Sequence, residues 1–345
     1  MQTELITPIT PEALARAGEL IRAGALVAFP TETVYGLGAN ALDADAVRRI
    51  FEAKGRPGDN PLIVHISAFD QLGPLIDGEP PEAARALMAA CWPGPMTLIF
   101  PKSAAVPEAV TAGLDTVAVR YPAHPTAQAL IDAARRPIAA PSANRSGRPS
   151  PTSARHVFED MCGRIPMILD GGPCDVGLES TVIDVTGGAP RILRPGGVTP
   201  ERIEEICGAV QVDDAVMRPL APGERPRSPG MKYRHYAPSG DLTIVQGAED
   251  AVVARICALY DAAARDGRRP LILALDGHLP AYGGRRALSL DADAADMAHA
   301  VFARLRDADS LGADALFSEA VPESGIGLAV MNRLGRAAAF HIEQA

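Results

Sequence analysis

A lysine and an arginine stand two positions apart, at Lys54 and Arg56, in a loop that also contains Asn60. Helical periodicity precedes this glycine- and proline-rich loop, and the apolar run PLIVHI, which carries His65, follows it. Arginine binds an anion through a planar fork of donors and lysine binds it as a point charge, so together they suit a polyphosphate. The alternative is that both residues only interact with the carboxyl end of the preceding helix.

A second segment rich in hydrogen-bond donors is PSANRSGRPSPTS, residues 141–153. It contains the hydroxyls of Ser142 and Ser150, the amide of Asn144 and two arginines, and it has no acidic residue. A loop of this length needs a reason, and a donor-rich loop without acids is typical of an anion site. A solvated surface loop is the alternative.

Polar residues also cluster in the string PTETVYGLGANA, Pro30–Ala41, which includes Thr33. Its G-x-G-x-x-A pattern alone would indicate a dinucleotide-binding turn. We reject that interpretation, because TETVY separates the glycines from the strand and no acidic residue ends a strand about 20 residues further on. Ligands of open α/β sheets bind at strand ends, so the cluster predicts a ligand site. A threonine-rich turn that satisfies its own backbone is the alternative.

Other strand ends carry charged or polar residues as well. Arg120 ends the run TVAVR, and Ser180 and Arg194 take similar positions in LESTVIDV and RILRPGG. A buried arginine usually has a partner, so Arg120 is expected to bind either the carboxylate of a ligand or an acid of the chain itself. A lone histidine in an apolar strand, such as His65, is by default a hydrogen-bonded core residue.

The segments that position these residues alternate between helical and strand patterns. Helices are predicted in PEALARAGELIRAG and in DADAVRRIFEAKG, the second with Asp43 as N-cap and Gly55 beyond its end. Strands are predicted in ALVAF, PLIVHI, MTLIF, TVAVRY, PIAAPS, MILDG and STVIDV. Many of them are continuously apolar, as strands covered on both faces are. We therefore expect residues 1–208 to form one α/β domain with a large mixed sheet.

The rest of the chain changes character twice. Residues 209–239 are rich in proline, glycine and arginine and predict a linker. Lys232, His235 and Tyr236 are unusual in a solvated spacer, so we expect this linker to dock onto another surface. Residues 240–345 alternate again and predict a small, doubly wound, Rossmann-like α/β domain with a parallel sheet.

Composition excludes several classes of protein. The 345 residues are 47% hydrophobic and 22% charged, and no apolar run reaches the roughly 18–20 residues that span a bilayer. The acidic N-terminus is unlike a secretory signal, so we expect a cytoplasmic location and no membrane partner. Five scattered cysteines indicate neither a metal site nor a disulfide framework. A net charge of -9 argues against stable nucleic-acid binding, and a Walker-type loop and G-x-S-x-G are absent.

Several strings together resemble one family. PTETVYGLG, KGRPGDNPL, WPGPMT, PSAN, SGRPSPT, GLESTVID and RPG are similar to the YrdC/Sua5 family of threonylcarbamoyl-AMP synthases. The linker SPGMKYRHYAP and the following domain resemble the longer, Sua5-type members over nearly the whole chain. The resemblance implies a YrdC-like open α/β catalytic domain with a basic cavity at residues 1–208. It also implies a linker or lid at residues 209–239 and a Sua5-type C-terminal domain at residues 240–345.

The resemblance also implies an activity, that of a nucleotidyltransferase. Members of the family make threonylcarbamoyl-AMP and diphosphate from L-threonine, bicarbonate and ATP, and other proteins transfer the product to adenosine-37 of tRNA. By this resemblance, ATP contacts Arg56, Asn60, Thr116, Ser142, Ser150, Arg194 and His235. Threonine contacts Thr33, His65, Arg120, Ala140 through its backbone, and Ser180. Lys54 and Arg56 are the expected catalytic cations, and Mg²⁺ is expected to be carried by the nucleotide and to keep most of its waters.

Three alternatives remain open at this point. The first is a non-catalytic RNA-binding module, against which the net acidic charge and the single tryptophan argue; a mobility-shift assay with a salt series distinguishes it. The second is the related carbamoyl-transfer domain of hydrogenase maturation, whose acylphosphatase and cysteine-rich zinc segments this chain lacks. The third is a nicotinamide dehydrogenase built on GLGANA, which a thermal shift with NAD would detect.

The odd composition of the linker suggests a lid. An acyl-adenylate hydrolyses in bulk water, so we expect the segment with Lys232 and His235 to close over the cavity and exclude solvent. Deleting residues 225–239 is then expected to lower ATP affinity and product yield, and unchanged values would exclude the lid.

Overall fold

The computed structural model describes residues 1–218 and 236–345. These residues form two compact units, and each has its own β-sheet. The first unit contains Met1–Ser146 and Ser150–Val216, and the second contains Gly147–Pro149, residues 217–218 and residues 236–345. His235, Lys232 and the rest of 219–235, the larger part of the predicted linker, lie outside the described residues.

The first unit is built around one mixed sheet. Its strands are β1 (Glu4–Ile6), β2 (Val27–Phe29), β3 (Gly36–Asn40), β4 (Ile63–His65), β5 (Met96–Pro101), β6 (Thr116–Arg120), β7 (Ile138–Ala140), β8 (Met167–Leu169), β9 (Thr181–Asp184), β10 (Arg191–Arg194) and β11 (Gln211–Val212). Their order across the sheet is β1-β8-β2-β3-β7-β4-β6-β5-β9-β10-β11. Parallel pairs such as β4 with β6 stand beside antiparallel pairs such as β5 with β6. The predicted large mixed sheet is confirmed.

Helices connect these strands. They are α1 (Pro11–Arg22), α2 (Ala44–Lys54), α3 (Glu82–Cys91), α4 (Glu108–Thr111), α5 (Pro125–Ala134), α6 (Ala154–Met161) and α7 (Pro200–Cys207), with 3-10 turns at Phe69–Gln71, Gly73–Leu75 and Asp214–Val216. The carboxylate of Asp43 accepts bonds from the first amides of α2, and Gly55 ends this helix in the left-handed conformation with φ 63°. Both predicted ends of α2 are confirmed.

The two faces of the sheet differ in what packs on them. On one face, Val64 and Leu98 belong to a large core shared with α2, α3 and α6. On the other face, α1 and α5 pack through Ile21 and Ile131 against β2, β7 and β8. Beside them, on the same face, lies a small apolar floor of Ile63, Ile99, Ala118, Val182 and Leu193. We call the face with this floor the site face.

The glycines of GLGANA lie within a strand. Gly36 and Gly38 belong to β3, which is antiparallel to β2. A Cβ atom on Gly38 would lie 2.9 Å from a ring carbon of Phe29 and 2.9 Å from Cγ2 of Ile138. Glycine is therefore needed for the close approach of the Phe29 ring. The string is not a dinucleotide-binding turn, which agrees with the interpretation from sequence.

The second unit is a small α/β domain. Its strands are β12 (Asp241–Gln246), β13 (Pro270–Ala274), β14 (Ala287–Ser289), β15 (Ala315–Glu319) and β16 (Ile342–Gln344), and its helices are α8 (Glu249–Arg265), α9 (Ala294–Ser310) and α10 (Gly327–Ala337), with a 3-10 turn at Asp276–Tyr282. The strands are parallel in the order β14-β13-β15-β12-β16. The predicted Rossmann-like architecture is confirmed for the described residues.

The first sheet extends into the predicted linker. The strand β11 pairs in parallel with β10, so the first residues of the predicted linker extend the first sheet. The predicted domain boundaries themselves stay a prediction.

Within residues 1–218 and 236–345, no helix combines the length and the hydropathy that a membrane crossing requires.

Candidate functional site

The strand register places several predicted site residues in rows on the site face. His65 of β4 lies opposite Arg120 of β6, and Arg120 lies opposite Thr97 of β5. Residues directly opposite one another share a face. Thr116 lies four positions before Arg120 in the same strand, so it shares this face at the other end of the floor. Ala140 of β7 lies opposite Ile63, beside the floor.

An irregularity in β10 adds Arg194 to this face. The pairing of β10 with β9 shifts between Ile192 and Arg194, so Arg194 lies opposite Val182. A bulge of this kind turns a side chain that would otherwise point to the other face. The guanidinium of Arg194 is buried and donates from Nη2 to the carbonyl oxygen of Ser180 at 2.9 Å. Ser180 in turn shares a hydrogen bond of 2.7 Å with Thr97, hydroxyl to hydroxyl.

Arg120 is held by three protein oxygens. Its Nη2 forms an ion pair of 2.7 Å with Oε1 of Glu32, and the two side chains are only 4% and 9% exposed. Nη1 donates to the hydroxyl of Thr33 at 2.8 Å, and Nε donates to the carbonyl oxygen of Gly94 at 3.3 Å. Burial alone would raise the pKa of Glu32, but the charge and the hydrogen bond of Arg120 and the backbone hydrogen bonds of Ala123 and Glu32 together outweigh it and hold this pKa below its usual value. The internal acid that the sequence left open is therefore Glu32.

The threonine-rich turn has two parts. Thr31 satisfies the local backbone, because its hydroxyl donates to the carbonyl of Val34 at 2.6 Å and accepts from the amide of Thr33 at 3.2 Å. Thr33 and Glu32 instead meet Arg120. The interpretation as a turn that satisfies its own backbone is confirmed for Thr31, and the ligand-site interpretation stays a prediction.

His65 is a buried, neutral histidine. Its Nδ1 lies 3.1 Å from the carbonyl oxygen of Ile63, and its ring meets the Phe29 ring edge-on with 6.1 Å between centroids. Burial, with a contribution from the charge of Arg120, lowers the pKa of His65 to about 3. The side chain is a core residue by its packing, and it borders Arg120 on the site face.

Lys54 bonds to the loop that contains Ser142 and Asn144. Its ammonium group donates to the carbonyl oxygens of Ser142 and Asn144 at 2.5 and 2.6 Å and lies 3.4 Å from the side-chain oxygen of Asn144. The hydroxyl of Ser142 also donates to that side-chain oxygen, at 2.5 Å. A lysine has three donors, so the loop can engage all of them. Arg56 is half-buried in the neighbouring loop after α2.

Two other predicted contacts to ATP are buried side chains. The hydroxyl of Ser150 donates to Oε1 of Glu179 at 2.5 Å, and both residues are buried. Asn60 is fully buried, and neither its amide oxygen nor its amide nitrogen has a hydrogen-bond partner among the described residues. Buried polar groups are nearly always bonded, so an amide in this state indicates that another molecule completes its bonding.

The predicted residues are thus linked in small groups. Contacts join Lys54 with Ser142, Arg120 with Thr33, and Arg194 with Ser180. Arg56 follows Lys54 by two residues, and Thr116 lies in the same strand as Arg120. Ala140 lies opposite Ile63 in the sheet register. His235 lies outside the described residues.

Sequence reasoning missed two residues of the site. Glu179 and Thr97 bond directly to Ser150 and Ser180, and neither was a candidate. An acid in an anion site runs against the expectation of an acid-free lining, so Glu179 had no signal of its own. Thr97 lies in an apolar strand, and only the pairing of β5 with β6 shows that it lies opposite Arg120.

The donor set bears on whether a metal ion fits. Glu32 is paired with Arg120, and Glu179 accepts from Ser150. Among residues 1–218 and 236–345, no group of three His, Cys, Asp or Glu side chains could hold a metal ion. With these residues, a divalent cation would need oxygen ligands from a bound substrate and from water.

Comparison with protein families identifies both units. Residues 19–196 match the Sua5–YciO–YrdC family model, which carries the description telomere recombination. Residues 198–339 match the family model described as the C-terminal domain of threonylcarbamoyl-AMP synthase.

Individual relatives cover almost the whole chain. The threonylcarbamoyl-AMP synthase of Pyrococcus abyssi is 50% identical over 326 residues, which are 94% of each chain. That of Bacillus subtilis is 49% identical over 333 residues, covering 94% of this chain and 92% of the relative. The crystal structure of P. abyssi Sua5 complexed with L-threonine superposes with a TM-score of 0.93 at 47% identity, covering 100% of this chain and 99% of that one.

Proposed function

The chain belongs to the Sua5/YrdC family of threonylcarbamoyl-AMP synthases, and from that premise we propose that its site face joins L-threonine, bicarbonate and ATP. The observation that carries this proposal is the pair of buried cations Arg120 and Arg194 on one sheet face, with the bonded hydroxyls of Thr97 and Ser180. Two buried guanidinium groups on a shared face suit a site that holds the carboxylate of threonine and the phosphates of ATP.

On the threonine side, Arg120 binds the carboxylate. Three protein oxygens fix its guanidinium, and two of its five N–H groups remain to form a paired contact with a carboxylate. The hydroxyls of Thr33 and Ser180 and the backbone of Ala140 complete this subsite. His65, which is neutral near pH 7, forms its wall and adds no charge that would repel an ammonium group.

On the ATP side, Arg56, Asn60, Thr116, Ser142, Ser150 and Arg194 bind the nucleotide. Arg56 and Arg194 neutralise phosphate charge, and Asn60 gains the hydrogen bonds that the described residues do not give it. Lys54 holds the loop of Ser142 and Asn144 through their carbonyl oxygens, so we assign it a positioning role. Its positive charge also attracts the phosphates. Mg²⁺, when bound to the phosphates, would withdraw charge from the leaving diphosphate.

The reaction needs no covalent nucleophile from the protein. The amine of threonine forms a bond to the carbon of bicarbonate and water leaves, which gives an N-carboxylate. An oxygen of this carboxylate then bonds to the α-phosphorus of ATP, the bond to the β-phosphate oxygen breaks, and diphosphate leaves. Such transfers depend on positioning and on charge neutralisation, which buried cations and hydroxyls provide. The protein is on this account a nucleotidyltransferase.

The product is an activated intermediate that another protein must consume. We propose that tRNA-modifying proteins take the threonylcarbamoyl group to adenosine, and that this occurs in the cytoplasm. The net charge of -9 supports a chain that hands over a small adenylate and does not itself hold tRNA.

Product analysis tests the proposal. The purified protein is incubated with ATP, Mg²⁺, L-threonine and ¹³C-bicarbonate, and the products are separated and weighed by mass spectrometry. We expect an adenylate that carries the label and one threonine, and its loss when threonine is replaced by L-valine. A protein that binds RNA in a mobility-shift assay and forms no labelled adenylate would support the RNA-binding alternative instead.

A further inference from the structure

Glu32 is a buried carboxylate at the centre of the site with no assigned role. It stands between two threonines in the turn after β2, and its side chain is 9% exposed. Its Oε1 lies 2.7 Å from Nη2 of Arg120 and forms an ion pair with it. An exposed surface acid would need no explanation, but a buried one normally has a structural or functional reason.

The ion pair has a geometric consequence for Arg120. Nη2 faces Glu32, Nη1 faces Thr33, and Nε faces the carbonyl of Gly94. Glu32 and Thr33 are neighbours in one turn, and Gly94 belongs to a distant segment, so contacts from two segments fix the plane of the guanidinium as well as its position. Without Glu32, one side of the plane would be unsupported. A guanidinium that must meet a carboxylate with two parallel bonds depends on its orientation.

The ion pair also has an electrostatic consequence. An arginine buried to 4% exposure without a counter-charge is costly, and the chain can lower this cost by turning the side chain toward solvent. Glu32 supplies the counter-charge from within the fold. The arginine can therefore stay buried before threonine arrives.

We propose that Glu32 is a positioning residue, which holds the guanidinium of Arg120 in the orientation that receives the threonine carboxylate and does not itself touch threonine. This inference rests on the proposed function of the site face. It assigns to a motif acid a role in threonine affinity that acts only through Arg120.

A double-mutant cycle tests this. Diphosphate release is measured for the wild type, Glu32→Gln, Arg120→Gln and the double variant, over a range of threonine and of ATP concentrations. We expect Glu32→Gln to lower kcat/KM for threonine by about tenfold or more, the loss of one charge-assisted contact. The KM for ATP should change by less than about twofold. In the Arg120→Gln background, Glu32→Gln should lower kcat/KM for threonine by less than about twofold, since non-additivity marks a shared mechanism.

A matched control is Glu179→Gln, because Glu179 is a second buried acid of the site and bonds to Ser150 on the ATP side. We expect it to raise the KM for ATP and to leave the KM for threonine within about twofold. If Glu32→Gln and Glu179→Gln changed both constants alike, a general loss of structure would be the cause and the positioning role would be refuted.

The remaining outcomes are also decisive. Additive effects of Glu32→Gln and Arg120→Gln would show that Glu32 acts on threonine directly, and would overturn the inference. If Glu32→Gln melts far below the wild type, Glu32→Asp is used in its place, because aspartate keeps the charge on a shorter side chain and weakens the ion pair with Arg120. An unchanged KM for threonine in Glu32→Asp would then contradict the positioning role. Wild-type protein without threonine-dependent diphosphate release would contradict the proposed function, whereas normal wild-type release with an indifferent Glu32→Gln would contradict only the inference.

Discussion

At the residue scale, the site consists of charged groups that the protein itself holds in place. Arg120, Arg194 and Lys54 each donate to oxygens of the protein itself. Preorganised charge of this kind can act on a substrate without first rearranging. Asn60 differs from these residues, because its buried amide has no partner among the described residues.

Asn60→Leu should separate stability from ligand binding. A buried amide without partners costs about 1–3 kcal/mol, so leucine, which is similar in size and apolar, should raise the melting temperature of the ligand-free protein. The same variant should lose most of the rise in melting temperature that ATP causes in the wild type. Thr111→Val is the matched control, because its hydroxyl is also buried without a partner among the described residues and we assign it no contact with ATP. It should stabilise the protein and keep the ATP effect; a full ATP effect in Asn60→Leu would contradict the assignment.

Lys54→Met should damage the ATP side. It keeps an apolar stem of similar length and removes the ammonium group that bonds to the carbonyls of Ser142 and Asn144. We expect kcat/KM for ATP to fall by more than about tenfold, which corresponds to about 1.5–3 kcal/mol. Lys102→Met is the control, because Lys102 lies away from this loop, in a bridge with Ile76. Equal kinetics of the two variants would argue that the contacts of Lys54 are only structural.

The residue types of the site were predictable, but their partners were not. Short motifs in the sequence indicated the cations and the hydroxyls of the site. The oxygens that hold them, such as Gly94 for Arg120 and Glu179 for Ser150, are distant in sequence. Spacing along one chain carries no information on contacts that the sheet register creates.

At the element scale, the site face depends on how closely β2 and β3 approach. The ring of Phe29 lies against Gly38 and edge-on to His65, so these strands connect the glycines of β3 to the wall of the proposed threonine subsite. The sequence predicted strands where apolar residues run continuously, as in β5 and β6. It did not predict β1, β3, β11 and β16, which are short, glycine-rich or exposed at the sheet edges, and whose pairing is decided by tertiary contacts.

Gly38→Ala should destabilise the first unit. A Cβ atom there would lie 2.9 Å from both Phe29 and Ile138, and overpacking of this kind costs about 1–3 kcal/mol. Displacement of Phe29 should also raise the KM for threonine through His65. Gly73→Ala is the control, because no atom lies within 4 Å of a Cβ built at Gly73. Equal melting temperatures of the two variants would mean that β2 and β3 approach less closely than described.

A second polar cluster links elements of the C-terminal unit. His278 contacts Glu319 at the end of β15 at 2.6 Å and Glu249 at the start of α8 at 3.0 Å. The hydroxyl of Tyr282 donates to the other oxygen of Glu319 at 2.7 Å. Burial alone would lower the pKa of His278, but the bond to Glu319 and the charges of Glu319 and Glu249 outweigh it and raise this pKa above its usual value.

This cluster predicts a pH dependence. Because the folded pKa of His278 lies above the unfolded value, its stabilising effect is complete below about pH 6.5 and is lost as the pH rises through the folded pKa. The difference in melting temperature between the wild type and His278→Gln should therefore be largest near about pH 6 and shrink toward about pH 9. Calorimetry of both proteins over this range measures it. A difference that grows with pH would contradict the charged pair.

At the scale of the whole molecule, the described chain consists of two α/β units of different kinds. The first has a mixed sheet whose site face carries the proposed chemistry, and the second has a parallel sheet without a predicted substrate residue. Alternation of helices and strands predicted both architectures, because local periodicity decides element type. The exact strand order of the first sheet was not predictable, since it depends on which apolar faces meet in the folded chain.

The central claim is that one face of one sheet brings threonine and ATP together. The most direct measurement is diphosphate release from ATP by the purified full-length protein, with L-threonine and bicarbonate added singly, together or not at all. We predict release above background only when both are present, and a loss of most of this release in Arg120→Gln at limiting threonine. Release that does not depend on threonine, or none under any condition, would contradict the account.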